Sequence, residues 1–150
     1  MSDHSIQVLQ NHILSRSESS IWQIALTEWI PSGVSYYWNT CPCGVAIKEN
    51  IFLYNTHTQQ ETHVGNVCIE HFSHIHVDDS VFDGIKRIQD DIRANTNVAL
   101  TKHCHQHEIL NEKEAEFLFN TALSRKLSEK QLAWKEKLNT RILRELTINH

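Results

Sequence analysis

Residues 41–71 read CPCGVAIKENIFLYNTHTQQETHVGNVCIEH, and the fold turns on how the cysteines and the closing histidine of this stretch are used. Cys41 and Cys43 have one residue between them, too few for a bond to each other without severe strain. Gly44 permits the sharp backbone turn that would aim both thiolates at one ion. Cys68 and His71 stand three apart, which places them on one face of a helical turn. Between the two pairs, residues 45–56 and 61–67 read as a β-hairpin: Val45/Ile47 and Ile51/Leu53 alternate with other residues, and the link at 55–60 is polar. A two-cysteine loop, a hairpin and helix-borne ligands make up the layout of a treble-clef-like zinc module.

Four thiolate or imidazole donors close a tetrahedral site and leave no position for a reactive water. The spacing therefore predicts one structural Zn²⁺ per chain, held by Cys41, Cys43, Cys68 and His71. Mixed sulfur and nitrogen donors suit zinc, whereas copper would need a softer or differently shaped site. Such an ion would lend folding free energy to a small β-rich half. A second cluster, His103-Cys104-His105-Gln106-His107, offers Cys104 as an alternative fourth ligand. It also offers a second metal site through His103, Cys104, His105 and His107. Against this, adjacent side chains rarely all face one ion, and the tract reads as a polar, solvated loop before a helix.

The 150 residues are 40% hydrophobic and 21% charged, with Gly 4 and Pro 2, which excludes collagen-like and Gly-rich disordered chains. No apolar run is long enough for a transmembrane helix. Met1-Ser2-Asp3-His4 lacks the basic and apolar regions of a signal peptide. The expectation is a cytoplasmic protein without a membrane partner, where thiols stay reduced and clustered cysteines point to metal rather than disulfides.

Outward from the metal motif, apolar spacing over residues 6–14 predicts a helix, and residues 15–20 a Ser-rich break. Aromatic and β-branched enrichment predicts strands over 21–30 and 34–38, with Pro31-Ser32-Gly33 as the turn. After Cys68 the pattern becomes helical. Ser80 can cap a helix whose apolar face is Val81, Phe82, Ile85, Ile88 and Ile92, ended by residues 95–97. Asn111 with Glu114, and Ser128 with Gln131, are capping-box signatures. They open a helix carrying Ala115, Leu118, Phe119 and Ala122, and a final one to about Thr147. The short link between these two predicts an antiparallel pair. The fold class is α+β: a β-rich zinc module with an N-terminal helix over residues 1–78, and a helical part over 79–150 packed on it as one compact unit.

Residues 28–72 also carry a resemblance. Glu28-Trp29, Cys41-Pro42-Cys43-Gly44, Ile47, Asn55, Val64-Gly65-Asn66 and Val67-Cys68-Ile69-Glu70-His71-Phe72 resemble a short zinc-binding family with a CxCG…N…VGxxCIxxF signature, found in uncharacterised proteins of bacteriophages, prophages and large DNA viruses. Leu127-Ser128-Glu129-Lys130-Gln131 with Trp134-Lys135 is similar to the LSxKQ helix often placed after it. The resemblance implies a virus- or mobile-element-associated zinc protein, with metal ligation by Cys41, Cys43, Cys68 and His71. It brings no established activity and no catalytic residue.

Charge is unevenly placed. Residues 1–101 hold 5 basic and 11 acidic side chains, and residues 120–150 hold 7 and 3. On the last helix Lys130, Lys137, Arg141 and Arg144 form a stripe about 60° wide, bordered by Trp134. This stripe is the candidate contact for nucleic acid or a protein partner, with Trp134 placed to stack on a base. Its plainer reading is a solvated face, with Trp134 in the core. Nuclease chemistry would need a general base and an open cation position, for which His74, His76, Asp78 and Asp79 are the available groups. No nucleophile elbow or phosphate-binding glycine loop is present. The function expected is a non-enzymatic zinc-binding adaptor in nucleic-acid transactions. The alternatives are a protein-binding effector that inhibits a host defence or regulatory complex and, below it, a metal-dependent nuclease.

Overall fold

The computed structural model describes residues 2–147. It is an α+β protein whose chain divides between His76 and Val77 into two units.

The first unit opens with helix α1 (Asp3–Leu14), where Ser2 accepts the Ser5 backbone N–H and Leu9 and Ile13 bury one face. The strand expected over residues 21–30 is instead a short helix, α2 (Trp22–Thr27), followed directly by strand β1 (Trp29–Thr40). Ile21 and Ile24 suggested a strand by residue type, yet both are exposed, while Ala25 and Leu26 form the buried face. Strand β1 then runs straight through Pro31-Ser32-Gly33, where a turn was expected. The register slips between Pro31 and Gly33, and β1 lies at the sheet edge, where a missing N–H is tolerated.

Strands β2 (Ala46–Asn55) and β3 (Glu61–Val64) form the expected hairpin, and the sheet order is β1-β2-β3, antiparallel throughout. Ile51 and Leu53 alternate inward with Val64 opposite Ile51, and are fully buried, as are Trp29 and Phe72. A second slip in β1, between Tyr36 and Asn39, strands the Tyr37 carbonyl; the buried Asn50 side chain donates to it at 2.9 Å.

The second unit contains helices α3 (Ser80–Asp90), α4 (Val98–Gln106), α5 (Glu112–Asn120) and α6 (Glu129–Leu146). Both predicted capping boxes are present, at Asn111/Glu114 and Ser128/Gln131. Helix α4 replaces the loop expected at residues 103–107. Asn97 caps it by accepting the Leu100 N–H at 2.8 Å, and also donates to the Ser80 carbonyl at 2.6 Å, tying α4 to the start of α3. Helix α6 packs against α3. With α5, its expected partner, it shares the Trp134–Phe117 stack and the Arg141–Glu114 ion pair.

Gly84 sets the α3–α4 distance. A Cβ there would lie 2.7 Å from Asn97 Oδ1 and 2.8 Å from Leu100 Cβ. Gly84→Ala is therefore expected to destabilise the protein by about 1–3 kcal/mol through overpacking. Urea unfolding measures it; an unchanged midpoint would show that α4 shifts without cost.

Candidate metal centre

The sheet itself assembles the cysteines. Cys41 follows β1, Cys43 precedes β2, and antiparallel pairing runs β3 back along β2 toward its start, ending opposite Ile51, with Cys68 just beyond. Two backbone bonds fix the loop between β1 and β2: Cys41 N–H to the Val45 carbonyl at 2.9 Å, and Gly44 N–H to the Cys41 carbonyl at 2.8 Å. Gly44 has φ 99°, a left-handed conformation that side chains resist. The Ile69 N–H, bonded to the Gly65 carbonyl at 3.0 Å, anchors the 3₁₀ turn Cys68–His71.

The three sulfurs lie within 4.8 Å of one another, with Cys41 and Cys68 3.5 Å apart, and all three residues are buried. Thiolates about 2.3 Å from one tetrahedral ion would sit about 3.8 Å apart, so this spacing fits a thiolate-bound metal. One of the three sulfurs, that of Cys41, is prepared for charge. The hydrogen bond shared with the Cys68 thiol outweighs the opposing effect of burial, and with the backbone N–H groups of Cys43 and Gly65 it brings Cys41 down to about 5. The Cys68 proton is correspondingly held by the Cys41 sulfur and by burial, so its own ionisation is pushed far up. A bound cation is what would let neighbouring thiolates coexist here.

Other candidate residues fall elsewhere. The His71 ring is half-buried and meets the edge of Trp22 at 6.3 Å, outside the three-sulfur group. Cys104 faces the core of the second unit on α4, fully buried, its thiol pushed up to about 12 by burial. The His103 and His107 rings lie against each other at a tilt, with centroids 4.2 Å apart, and burial followed by the His107 charge lowers His103 to about 4; His105 is exposed. His74 Nε2 donates to the Trp29 carbonyl at 2.8 Å, and Asp78 accepts from the Ser80 backbone at 3.0 Å. Among the described residues, the three cysteines are the group of three or more His, Cys, Asp or Glu side chains that converges to hold an ion.

The basic stripe is thinner than its sequence. Lys130, Lys137 and Arg144 are exposed, but Arg141 pairs with Glu114 at 2.8 Å and also donates to the Ile109 carbonyl at 3.3 Å. Trp134 stacks on Phe117 at 4.1 Å. Lys135, counted in the basic tail, is fully buried; its amine donates to Asn95 and Thr121, and burial lowers its pKa. Sequence reading also missed Glu28 as an anchor: its buried carboxylate accepts from the backbone N–H groups of Glu18 and Ser19 at 2.8 and 2.9 Å and from the Asn55 amide at 3.0 Å. The usable signal was a lone acidic residue inside an otherwise apolar and aromatic run.

No protein-family model matches the chain, and searches of curated proteins and of solved structures find no match. Among the described residues, no helix is long and apolar enough to cross a membrane.

Proposed function

We propose that the chain is a non-enzymatic zinc-binding adaptor acting in nucleic-acid transactions, a role in keeping with its likeness to the phage and large-DNA-virus zinc family. The observation that carries the reading is the buried group of Cys41, Cys43 and Cys68. Soft thiolate donors favour zinc among the abundant divalent ions, and His71 is the fourth donor. In a 3₁₀ turn, residues three apart eclipse one another, and the spacing of His71 from Cys68 within one such turn is what supports it as the fourth donor. When bound, the ion joins the β1–β2 loop to the turn after β3 and contributes folding free energy.

The contact surface for nucleic acid is the exposed part of the α6 stripe: Lys130, Lys137 and Arg144. Each phosphate contact contributes about 0.9 to the slope of log affinity against log salt. Replacing Lys137 and Arg144 by alanine is expected to flatten that slope by nearly 2 without loss of fold, read by fluorescence anisotropy on single- and double-stranded DNA. Absence of binding even at low salt removes the nucleic-acid role and leaves the metal assignment standing.

A second reading, a protein-binding effector, is favoured by a different observation. Trp38, Val45 and Val67 flank the cysteines in sequence and are 70%, 52% and 60% exposed. They belong to a unit holding 6 acidic and 2 basic side chains. Exposed apolar residues on an acidic unit suit a protein partner better than a polyanion. Loss of partner capture in Trp38→Ala, with metal content intact, would select this reading.

A further inference from the structure

Helix α4 separates the members of the cluster at residues 103–107. At about 100° per residue, His103 and His107 fall about 40° apart and His105 about 160° from each. Cys104 faces the core and His105 the solvent, whereas the His103 and His107 rings meet with centroids 4.2 Å apart and planes tilted by 33°. Two histidines one helical turn apart share a face on which both imidazoles can reach a single ion. We propose that His103 and His107 form a two-histidine chelate for a divalent transition ion, of the Ni²⁺, Cu²⁺ or Zn²⁺ class, on the last turn of α4. The site is separate from the zinc centre, lies in the other unit and uses none of its ligands.

The surroundings suit a cation held there. Helix carbonyls point out of the C-terminal turn, where positive charge is favoured. The turn is fixed by a Schellman motif, with Ile109 N–H to the Cys104 carbonyl at 2.9 Å and Glu108 N–H to the His105 carbonyl at 3.3 Å. Glu108 takes the left-handed position, φ 62°, where glycine is usual. His103 is half-buried, so its ring is restricted before an ion arrives, and the backbone of His107 is held as the helix cap, which lowers the entropy cost of binding. Two protein ligands leave the remaining positions to water, so this site is open where the cysteine centre is enclosed.

Ni²⁺ titration of the full zinc-loaded chain, followed by histidine ring NMR and by calorimetry, tests the assignment. Paramagnetic broadening is expected at His103 and His107 together, ahead of the other histidines. His107→Ala is expected to weaken this binding about tenfold or more, because the second donor of a chelate acts at high effective concentration. His105→Ala is expected to leave it unchanged. His107 is exposed, and an unaltered melting curve without Ni²⁺ confirms that its variant folds. Broadening spread evenly over all histidines, or equal Ni²⁺ affinity in His107→Ala and the parent chain, overturns the proposal.

Discussion

Cys68→Ser is expected to remove the metal and unfold the first unit at ambient temperature. Structural zinc contributes an apparent binding free energy of about 10–16 kcal/mol near neutral pH, as large as the whole stability of a typical domain, about 5–15 kcal/mol. Losing one of three converging sulfurs sacrifices most of that, and it removes the thiol that shares a hydrogen bond with Cys41. Residues 28–72 carry the loop, the hairpin and the turn that the ion joins, so amide protection should collapse across this span. Metal content by elemental analysis and hydrogen exchange provide the readouts. A Cys68→Ser chain that keeps stoichiometric zinc and its protection would refute the ligand assignment. His71→Ala and Cys104→Ala then separate the two fourth-ligand readings: metal loss is expected in the first and not in the second, and the reverse result would transfer the role to Cys104.

Glu28→Ala should have the next largest effect, about 3 kcal/mol of lost stability. The substitution leaves three donors, the part-buried Glu18 and Ser19 backbone N–H groups and the buried Asn55 amide, without their acceptor; a fully buried donor so stranded costs about 1–3 kcal/mol, and water repairs more of the loss at the other two. Burial alone would raise the pKa of this carboxyl, but the Asn55 bond and the two backbone bonds prevail and hold it below its ordinary 4.5. The carboxylate's contribution is therefore complete above the unfolded value and fades as pH falls through the lower folded one. Glu28→Gln, which cannot ionise, should lose this part of the acid dependence. Urea midpoints measured between neutral and acid pH test both claims, and parallel pH profiles for Glu28→Gln and the parent would refute the second.

Sequence revealed what is specified locally. The capping boxes at Asn111 and Ser128 rest on side chains three residues from their partners, and the β2–β3 hairpin on alternation within one stretch. The meeting of Cys41, Cys43 and Cys68 was legible because their spacing flanks that hairpin. What escaped depends on distant neighbours. Helix α2 is too short for a periodic signal, and its exposed isoleucines favoured a strand by type. Helix α4 hid behind its histidines, though Asn97 supplied a cap and Leu100, Thr101 and Cys104 a buried face. Pro31 looked like a turn because nothing in its neighbourhood says that β1 is an edge strand. Arg141 and Lys135 looked free because Glu114 and Asn95 lie 27 and 40 residues away in the chain.

The burial of Lys135 governs how α6 can seat itself. Leu138, Ile142 and Leu146 alone would tolerate sliding by one turn, about 5.4 Å, since leucine and isoleucine interchange readily in a core. Lys135 and Asn139 forbid it: the amine is matched to Asn95 and Thr121, and the amide donates to the carbonyls of Ile92 and Ala94 at 2.9 and 3.0 Å. Any other register would leave an amine and an amide dry and unmatched. These two polar side chains act as a key in a lock, trading some stability for a single seating of the helix.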